Sequence, residues 1–170
     1  MLKDKLFLIC GANGQLATEF KNIFTKREIK FIALSRSELD IIDFKKAKET
    51  IEQIVPDVIL NCAAYNLVDK AENDSGNAFK VNSSAVDNLA VICKKQKIFL
   101  VHYSTDYVFD GKKLDFYVED DLPAPLNIYG KSKLYGEEAI KKHLNNFLIF
   151  RASWVIGSGR QNFLYDFPFY

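Results

Sequence analysis

Residues 6–17 read LFLICGANGQLA, and this stretch decides the fold. Its first part, residues 6–10, is an unbroken apolar run of strand length, as expected for a strand that is buried on both faces. Residues 11–17 have the spacing G-x-x-G-x-x-A and lead into a helical pattern that ends near Lys26. Glycine allows a tight turn and a close approach of the backbone to a ligand, and a helix N-terminus supplies N–H donors. The stretch therefore favours a dinucleotide-binding turn over an ordinary strand-to-helix connection.

The rest of the chain repeats this alternation of strand and helix. Four more apolar segments have strand length, namely residues 29–34, 57–61, 98–103 and 147–150, and helical patterns lie between them. Strands that alternate with helices predict a parallel sheet with right-handed crossovers. We expect residues 1–155 to form a Rossmann-type α/β domain, a doubly wound parallel sheet with strand order 2-1-3-4-5.

The composition excludes several classes of protein. The chain has 170 residues, 48% of them hydrophobic, and 23 basic against 22 acidic residues give a formal net charge of +1. This balance argues against a nucleic-acid-binding surface. The first apolar run is too short for a membrane span or a signal-peptide core, so we expect a cytoplasmic protein with no membrane partner. Three cysteines and two histidines lack metal-ligand spacing, and we expect no metal site.

Ser35 and Arg36 follow the second predicted strand, where NAD-binding folds often place an acidic residue for the ribose. A guanidinium there suits a 2′-phosphate and favours NADPH over NADH, although a surface arginine is the simpler alternative. Asp43 is a good N-cap for the helix predicted over residues 44–54. Asp40 is then the freer carboxylate, close to the adenine end of a dinucleotide.

Small and polar residues follow the third and fourth predicted strands. Residues 62–65 leave room for a ligand. Residues 104–106 read Ser-Thr-Asp and place a hydroxyl and a carboxylate where α/β folds do their chemistry, although the same residue types form turns. Asn82 interrupts the apolar stripe of a helix predicted over residues 75–96. It either makes a local hydrogen bond or anchors a water or the lysine near the site.

Tyr129 and Lys133 are four residues apart on a helix that Asn127 can cap, so they lie on one helix face. A nearby cation favours the phenolate and lowers the pKa of the tyrosine toward the working range, which suits proton transfer. By itself the pair is weak support, because such pairs on helices are usually solvated. The strand and glycine-turn pattern upstream is what favours the catalytic interpretation.

The chain resembles the dTDP-4-dehydrorhamnose reductase family of the extended short-chain dehydrogenase/reductase superfamily. Four runs carry the resemblance: GQL at 14–16, NCAAYNLVDKAE at 61–72, YSTDYVFDG at 103–111 and YGKSKLYGE at 129–137. The run at 103–111 is the most specific, because epimerases of the superfamily usually carry a different sequence there. The resemblance extends over nearly all of the chain, to about Phe163.

This resemblance implies NADPH- or NADH-dependent reduction of the 4-keto group of a dTDP-sugar, from dTDP-4-dehydro-L-rhamnose to dTDP-L-rhamnose, in nucleotide-sugar and cell-surface polysaccharide synthesis. It implies Thr105, Tyr129 and Lys133 as the catalytic residues, with Tyr129 as the proton donor. Thr105, Asp106 and Trp154 would contact the substrate. With Arg36 added, the cofactor surface would comprise Gly11, Ala12, Asn13, Gly14, Gln15, Leu16, Arg36, Asp40, Ile41, Ala63, Ala64, Tyr65, Tyr103, Tyr129 and Lys133.

The chain departs from the family at two places. Ala17 replaces a small glycine, and the family continues well past position 170 into a part that completes the substrate site. We therefore expect residues 156–170 to be the start of a truncated substrate-binding part, which leaves the activity of the chain itself open. Alternatives are a sugar-nucleotide epimerase or dehydratase of the same superfamily, or a non-catalytic dinucleotide-binding fragment or regulatory subunit. A magnesium requirement and a homodimer are also left open.

Overall fold

The carboxyl ends of five parallel strands form one edge of the sheet. In the computed structural model, which describes residues 2–157, the strands are β1 (Phe7–Cys10), β2 (Phe31–Leu34), β3 (Val58–Asn61), β4 (Phe99–Thr105) and β5 (Phe147–Ala152). Their order is β2-β1-β3-β4-β5, and all pairs are parallel. The predicted fold class and strand order are therefore confirmed. Strand β2 begins later than predicted, because the N–H of Ile29 donates to the carbonyl oxygen of Phe24 and closes the end of the preceding helix.

Six α-helices connect the strands in the described part of the chain: α1 (Gln15–Lys26), α2 (Phe44–Ile54), α3 (Val68–Ala71), α4 (Ser75–Phe79), α5 (Ala85–Gln96) and α6 (Ile128–His143). A π turn, Lys80–Ser84, joins α4 to α5, so the helix predicted over 75–96 changes its winding in the middle. Asp43 caps α2 and Asn127 caps α6, both as predicted. None of the helices within residues 2–157 combines the length and the apolarity needed to span a membrane.

Apolar side chains cover the sheet on both faces. Helix α1 packs on one face, where Phe24 makes an edge-to-face contact with Phe7 at a ring-centroid distance of 4.9 Å. Helices α2, α5 and α6 pack on the other face around Leu8 and Leu100. Because both faces are covered, all four residues of β1 are buried, as the unbroken apolar run predicts.

Two glycines permit the close approaches that shape the site. Gly11 has a φ of +82°, and a Cβ there would lie 3.0 Å from the backbone nitrogen of Ala63, so the turn after β1 contacts the chain that leaves β3. In α6, a Cβ on Gly136 would overlap the carbonyl oxygen of Asn82 in the π turn. Helix α6 is thus held backbone to backbone against the preceding helix. This contact fixes where the inner face of α6 presents its side chains.

Candidate active site

A cleft of about 790 Å³ runs along the carboxyl ends of the strands, where open α/β sheets bind their ligands. All but one of the predicted site residues line it, namely Gly11, Asn13, Gly14, Gln15, Leu16, Arg36, Asp40, Ile41, Ala63, Ala64, Tyr65, Tyr103, Thr105, Asp106, Tyr129, Lys133 and Trp154. Ala12 is the exception. It is buried beneath the turn, and its N–H donates to the carbonyl oxygen of Leu34 at 2.9 Å.

The glycine-turn end of the cleft is made mainly of backbone. Gly14 is the N-cap of α1 and makes no side-chain cap hydrogen bond, and the first turn of this helix has no acidic residue. The first N–H groups of a helix have no partner within the helix and lie at the positive end of its dipole, so this end suits a phosphate. The side chain of Gln15 donates to the carbonyl oxygen of Val155 at 3.0 Å. The chain that leaves β5 therefore lies over the glycine turn.

Charged residues after β2 pair with one another. The side chain of Arg36 is 77% exposed, and its Nε lies 3.4 Å from Oδ2 of Asp40. Oδ1 of Asp40 accepts the N–H of Ile42 at 3.0 Å, so the expectation that Asp40 is the freer carboxylate is wrong. Glu38 accepts the hydroxyl and the N–H of Ser35 at 2.6 and 2.8 Å, and these bonds lower the pKa of Glu38.

Thr105 and Tyr129 meet at the opposite end of the cleft. The hydroxyl of Thr105 donates to Oδ1 of Asp106 at 3.1 Å and accepts the N–H of Tyr107 at 3.2 Å. The ring of Tyr107 packs edge-on against Tyr129 at a centroid distance of 5.9 Å. Burial raises the pKa of Tyr129, a hydrogen bond with Thr105 partly offsets this, and Asp106 and Tyr107 raise it further. The prediction that Lys133 lowers this pKa is therefore wrong for the described structure.

Lys133 is buried, with 1% of its surface exposed, and its amine is bonded inside the protein. Nζ donates to the carbonyl oxygen of Tyr103 at 2.5 Å and lies 3.4 Å from Nε2 of His102. Burial lowers the pKa of Lys133 to about 8, against a smaller opposing effect of Glu137. The amine can therefore change its charge close to neutral pH.

A buried ion pair lies one turn beyond Lys133. Glu137 is fully buried and binds the guanidinium of Arg151 through Nη2 at 2.7 Å and Nε at 3.0 Å. It also accepts the hydroxyl of Ser104 at 2.5 Å. The sequence reasoning did not name Glu137 or Arg151 as part of the site. Positions 129, 133 and 137 are each four residues apart, which places all three side chains on one helix face. This spacing could have predicted that Glu137 lies near Lys133.

Asn82 fixes the loop that follows β3. Its Oδ1 accepts the N–H of Tyr65 and its Nδ2 donates to the carbonyl oxygen of Tyr65, both at 2.9 Å. Nδ2 also donates to Oγ of Ser132 at 3.0 Å. Asn82 thus ties the wall of the cleft to α6, rather than making the local bond or the lysine contact that the sequence suggests.

Trp154 lies at the rim of the cleft, 69% exposed and in a left-handed backbone conformation with φ of 50°. Cleft residues that sequence reasoning missed include Tyr107, Ser153 and Val155. These three adjoin a predicted site residue in the sequence, which is the signal that was available. The expected truncated substrate part falls mostly on residues 158–170, which lie outside the described residues.

Within residues 2–157, no three His, Cys, Asp or Glu side chains form a group that could hold a metal ion. The three cysteines are free thiols. Burial raises the pKa of Cys62 and of Cys93 to about 12, so these thiols are not activated.

The strand order, the glycine turn and the position of the cleft define a Rossmann-type α/β domain. The chain belongs to the family described as RmlD substrate binding domain, whose model matches residues 5–167. It is 41% identical over 158 residues to a dTDP-4-dehydrorhamnose reductase of Burkholderia thailandensis, covering 92% of this chain and 52% of that relative. It is 43% identical over 160 residues to a dTDP-4-dehydrorhamnose reductase of Escherichia coli K12, covering 92% and 53%.

A solved structure shares the same fold in detail. The crystal structure of dTDP-4-dehydrorhamnose reductase from Bacillus anthracis in complex with NADP matches with a TM-score of 0.92 and 36% identity, over 95% of this chain and 58% of that chain. The predicted family is therefore confirmed. The chain spans about half the length of the curated relatives it matches.

Proposed function

We propose that this chain carries the dinucleotide-binding and proton-transfer part of a reductase that converts dTDP-4-dehydro-L-rhamnose to dTDP-L-rhamnose. The observation that carries the proposal is the position of Thr105 and Tyr129 at one end of a cleft whose other end is the glycine turn before α1. The names of the relatives that are 41% and 43% identical support the choice of reaction.

The cleft residues fit a nicotinamide dinucleotide. Gly11 lets the turn after β1 pack directly against Ala63 at the cleft, and the uncapped start of α1 suits the pyrophosphate. Arg36 and Asp40 would hold the adenosine end, and the exposed guanidinium supports NADPH over NADH. Lys133 and Tyr129 would hold the ribose beside the nicotinamide. The related structure that contains NADP supports the same class of cofactor.

The bound dinucleotide supplies the hydride, and the side chains of the chain handle the proton. Burial raises the pKa of Tyr129, so its hydroxyl keeps a proton that it can donate to the keto oxygen as that oxygen becomes an alcohol. Thr105 would hydrogen-bond to the same oxygen and stabilise the charge that develops there. Asp106 and Trp154 would contact the sugar nucleotide. No step is assigned to magnesium.

The test has a binding arm and a turnover arm. NADPH and NADH are titrated separately into the purified chain, and cofactor fluorescence reports saturation. Stoichiometric chain, NADPH and dTDP-4-dehydrorhamnose are then incubated, and the sugar nucleotides are separated by chromatography, so that even slow conversion is detected. We expect saturable binding of NADPH and formation of dTDP-rhamnose with loss of one NADPH per product.

Each other outcome points to a different function. Sugar interconversion without net consumption of NADPH would identify an epimerase. Saturable binding with no conversion of the sugar would favour a chain that only binds dinucleotide. A chain that binds neither NADPH nor NADH would contradict the proposal, because the proposed reaction requires a bound dinucleotide.

A further inference from the structure

Three polar side chains, Asn61, His102 and Lys133, form a buried line beneath the cleft. None is more than 1% exposed. Nδ2 of Asn61 lies 3.1 Å from Nδ1 of His102, and Nε2 of His102 lies 3.4 Å from Nζ of Lys133. A buried polar atom without a matching partner is unfavourable, because it loses its bond to water and gains none in return. The choice of donor and acceptor in one contact therefore determines the donor and acceptor in the next.

The backbone sets the orientation of the Asn61 amide. The N–H of Ala63 donates to Oδ1 of Asn61 at 3.3 Å, so the NH2 group is the part that faces His102. Nδ1 of His102 then accepts, and a neutral imidazole carries its one proton on the other nitrogen, Nε2. Burial and the nearby Lys133 lower the pKa of His102 well below its ordinary value, so the ring stays neutral. The proton on Nε2 points toward Lys133.

We propose that Asn61 fixes His102 in its Nε2–H tautomer, and that the ring positions the amine of Lys133 by donating to its nitrogen. An uncharged amine has one lone pair for this bond, and it keeps N–H groups for the carbonyl oxygen of Tyr103. An ammonium has only donors and would face Nε2–H with the same polarity. Lys133 can therefore gain a proton only if the ring changes tautomer and the Asn61 amide turns.

Other charged groups face the amine, but each has a partner of its own. Glu137, on the next turn of α6, favours the ammonium, yet it is bonded to Arg151 of β5 and to Ser104 of β4. Tyr129, one turn in the other direction, faces Thr105 and Asp106. His102 is thus the group on β4 whose proton is coupled to that of Lys133.

The coupling reaches the cleft through Ala63. If the Asn61 amide turns, the N–H of Ala63 loses its acceptor, and Ala63 lines the cleft beside Gly11. Asn61 and His102 are in this view positioning residues for Lys133. The catalytic role of Lys133 rests on the proposed function, whereas the tautomer of His102 does not.

Nitrogen-15 NMR of the histidine rings in the intact chain tests the proposal. The sequence has two histidines, and the variant His143→Gln identifies the signals of the second ring. Well above pH 8 we expect the proton on Nε2 of His102 and none on Nδ1. As the pH falls through the Lys133 transition near 8, both ring nitrogens should shift toward the other tautomer. Their midpoint should coincide with that of the Lys133 Cε resonance.

Two variants separate this arrangement from a purely structural role. Asn61→Asp supplies an acceptor to Nδ1–H, so the ring should hold the opposite tautomer at every pH. Lys133→Met should keep the proton on Nε2 and abolish the pH response.

The proposal would be overturned if the wild-type His102 ring carried its proton on Nδ1 over the whole pH range. It would also be overturned if the His102 ring signals did not shift as Lys133 titrates. The wild-type spectra decide this even if Asn61→Asp does not fold. A failure to reduce the dTDP-sugar would count against the proposed function and leave the tautomer result unchanged.

Discussion

At the glycine-turn end of the cleft the surface consists of backbone and exposed charges, whereas the Tyr129 end depends on particular side chains, from the exposed Asp106 to the buried Thr105 and Lys133. Gly11 and Gly14 shape the first end, and Arg36 beside them is 77% exposed. At the second end, Lys133 is held by hydrogen bonds to Tyr103 and His102, and Tyr129 bonds to Thr105. Backbone N–H groups bind a phosphate whatever side chains surround them, while proton transfer depends on the identity of a side chain. Substitutions should therefore act strongly at the Tyr129 end and weakly at the Arg36 end.

The largest effect is expected from Tyr129→Phe, which keeps the ring and removes the proton. Reduction of dTDP-4-dehydrorhamnose should fall by about 10²- to 10⁴-fold, the usual contribution of a general acid. Affinity for NADPH should fall far less than turnover, since the glycine-turn end and Lys133 are untouched. Single-turnover conversion and cofactor titration measure the two quantities.

Tyr135→Phe is the matched control for this substitution. Tyr135 lies on the same helix but is exposed and packs against Phe79, so its variant should convert substrate at the wild-type rate. Near-normal conversion by Tyr129→Phe would mean that another group supplies the proton.

The next largest effect is on stability, from Glu137→Leu. This change leaves the guanidinium of Arg151 largely buried without its carboxylate, and breaking a buried pair on one side costs about 3–5 kcal/mol. Urea unfolding should show that loss, while Glu138→Leu at the neighbouring exposed position should stay within about 0.5 kcal/mol of wild type. The double variant Glu137→Leu with Arg151→Met should recover part of the loss. An equal loss in the double variant would show that packing, not charge, is what matters there.

A third effect depends on pH and reports on Lys133. The folded chain releases this proton near pH 8, whereas an unfolded lysine holds it to about pH 10.4. Between these values the unfolded state binds more protons, so this group makes the free energy of unfolding rise with pH, by at most about 1.4 kcal/mol per unit. Below pH 8 the cost of the buried charge is present in full.

The difference between wild type and Lys133→Met isolates this contribution. The buried cysteines and Tyr129, whose pKa values are raised, act in the opposite direction at high pH, but they are present in both proteins. Lys131→Met, at an exposed position on the same helix, should show no such trend. A wild-type minus Lys133→Met difference that stays flat between pH 8 and 10 would show that the amine keeps an ordinary pKa.

The smallest effect is expected at the opposite end, from Arg36→Asp. The wild-type chain should bind NADPH at least as tightly as NADH, and the substitution should reverse the ratio. Because the guanidinium is exposed, the change should be only about 1 kcal/mol, or roughly fivefold. Asp40→Asn sharpens the comparison, since it removes the charge that now pairs with Arg36 and should increase the preference for NADPH. If the ratio of NADPH to NADH affinity is unchanged in both variants, Arg36 does not determine which cofactor is preferred.

The features that could be predicted from the sequence are those that depend on neighbouring residues. The apolar run at 6–10, the glycine turn at 11–17 and the spacing of Tyr129 and Lys133 are local patterns, and each fixes an element and its place in the chain. The parallel sheet follows from the alternation of strands and helices, and the family from the runs at 103–111 and 129–137.

What could not be predicted depends on contacts between distant positions. Glu137 bonds to Arg151, and Asn61 contacts His102, only when the strands are aligned in the folded sheet. The lowering of the Tyr129 pKa was predicted from helix spacing, but Lys133 turns to the carbonyl oxygen of Tyr103 instead. The bonds of Asp40 to Arg36 and Ile42 are the exception, because they are local contacts that the expectation of a freer Asp40 overlooked.

The π turn at 80–84 constrains the number of residues in this segment more strictly than the identity of its exposed residues. A turn closed by i→i+5 bonds contains one residue more than an α turn, and each residue rotates the following side chains by about 100°. Loss of a single residue there would restore a regular helix but rotate the apolar stripe of α5 away from the sheet relative to α4. Exposed positions such as Ser84 can change freely. Homologous chains should therefore show neither insertions nor deletions within this turn, and should vary in sequence at its exposed positions rather than at the buried Asn82.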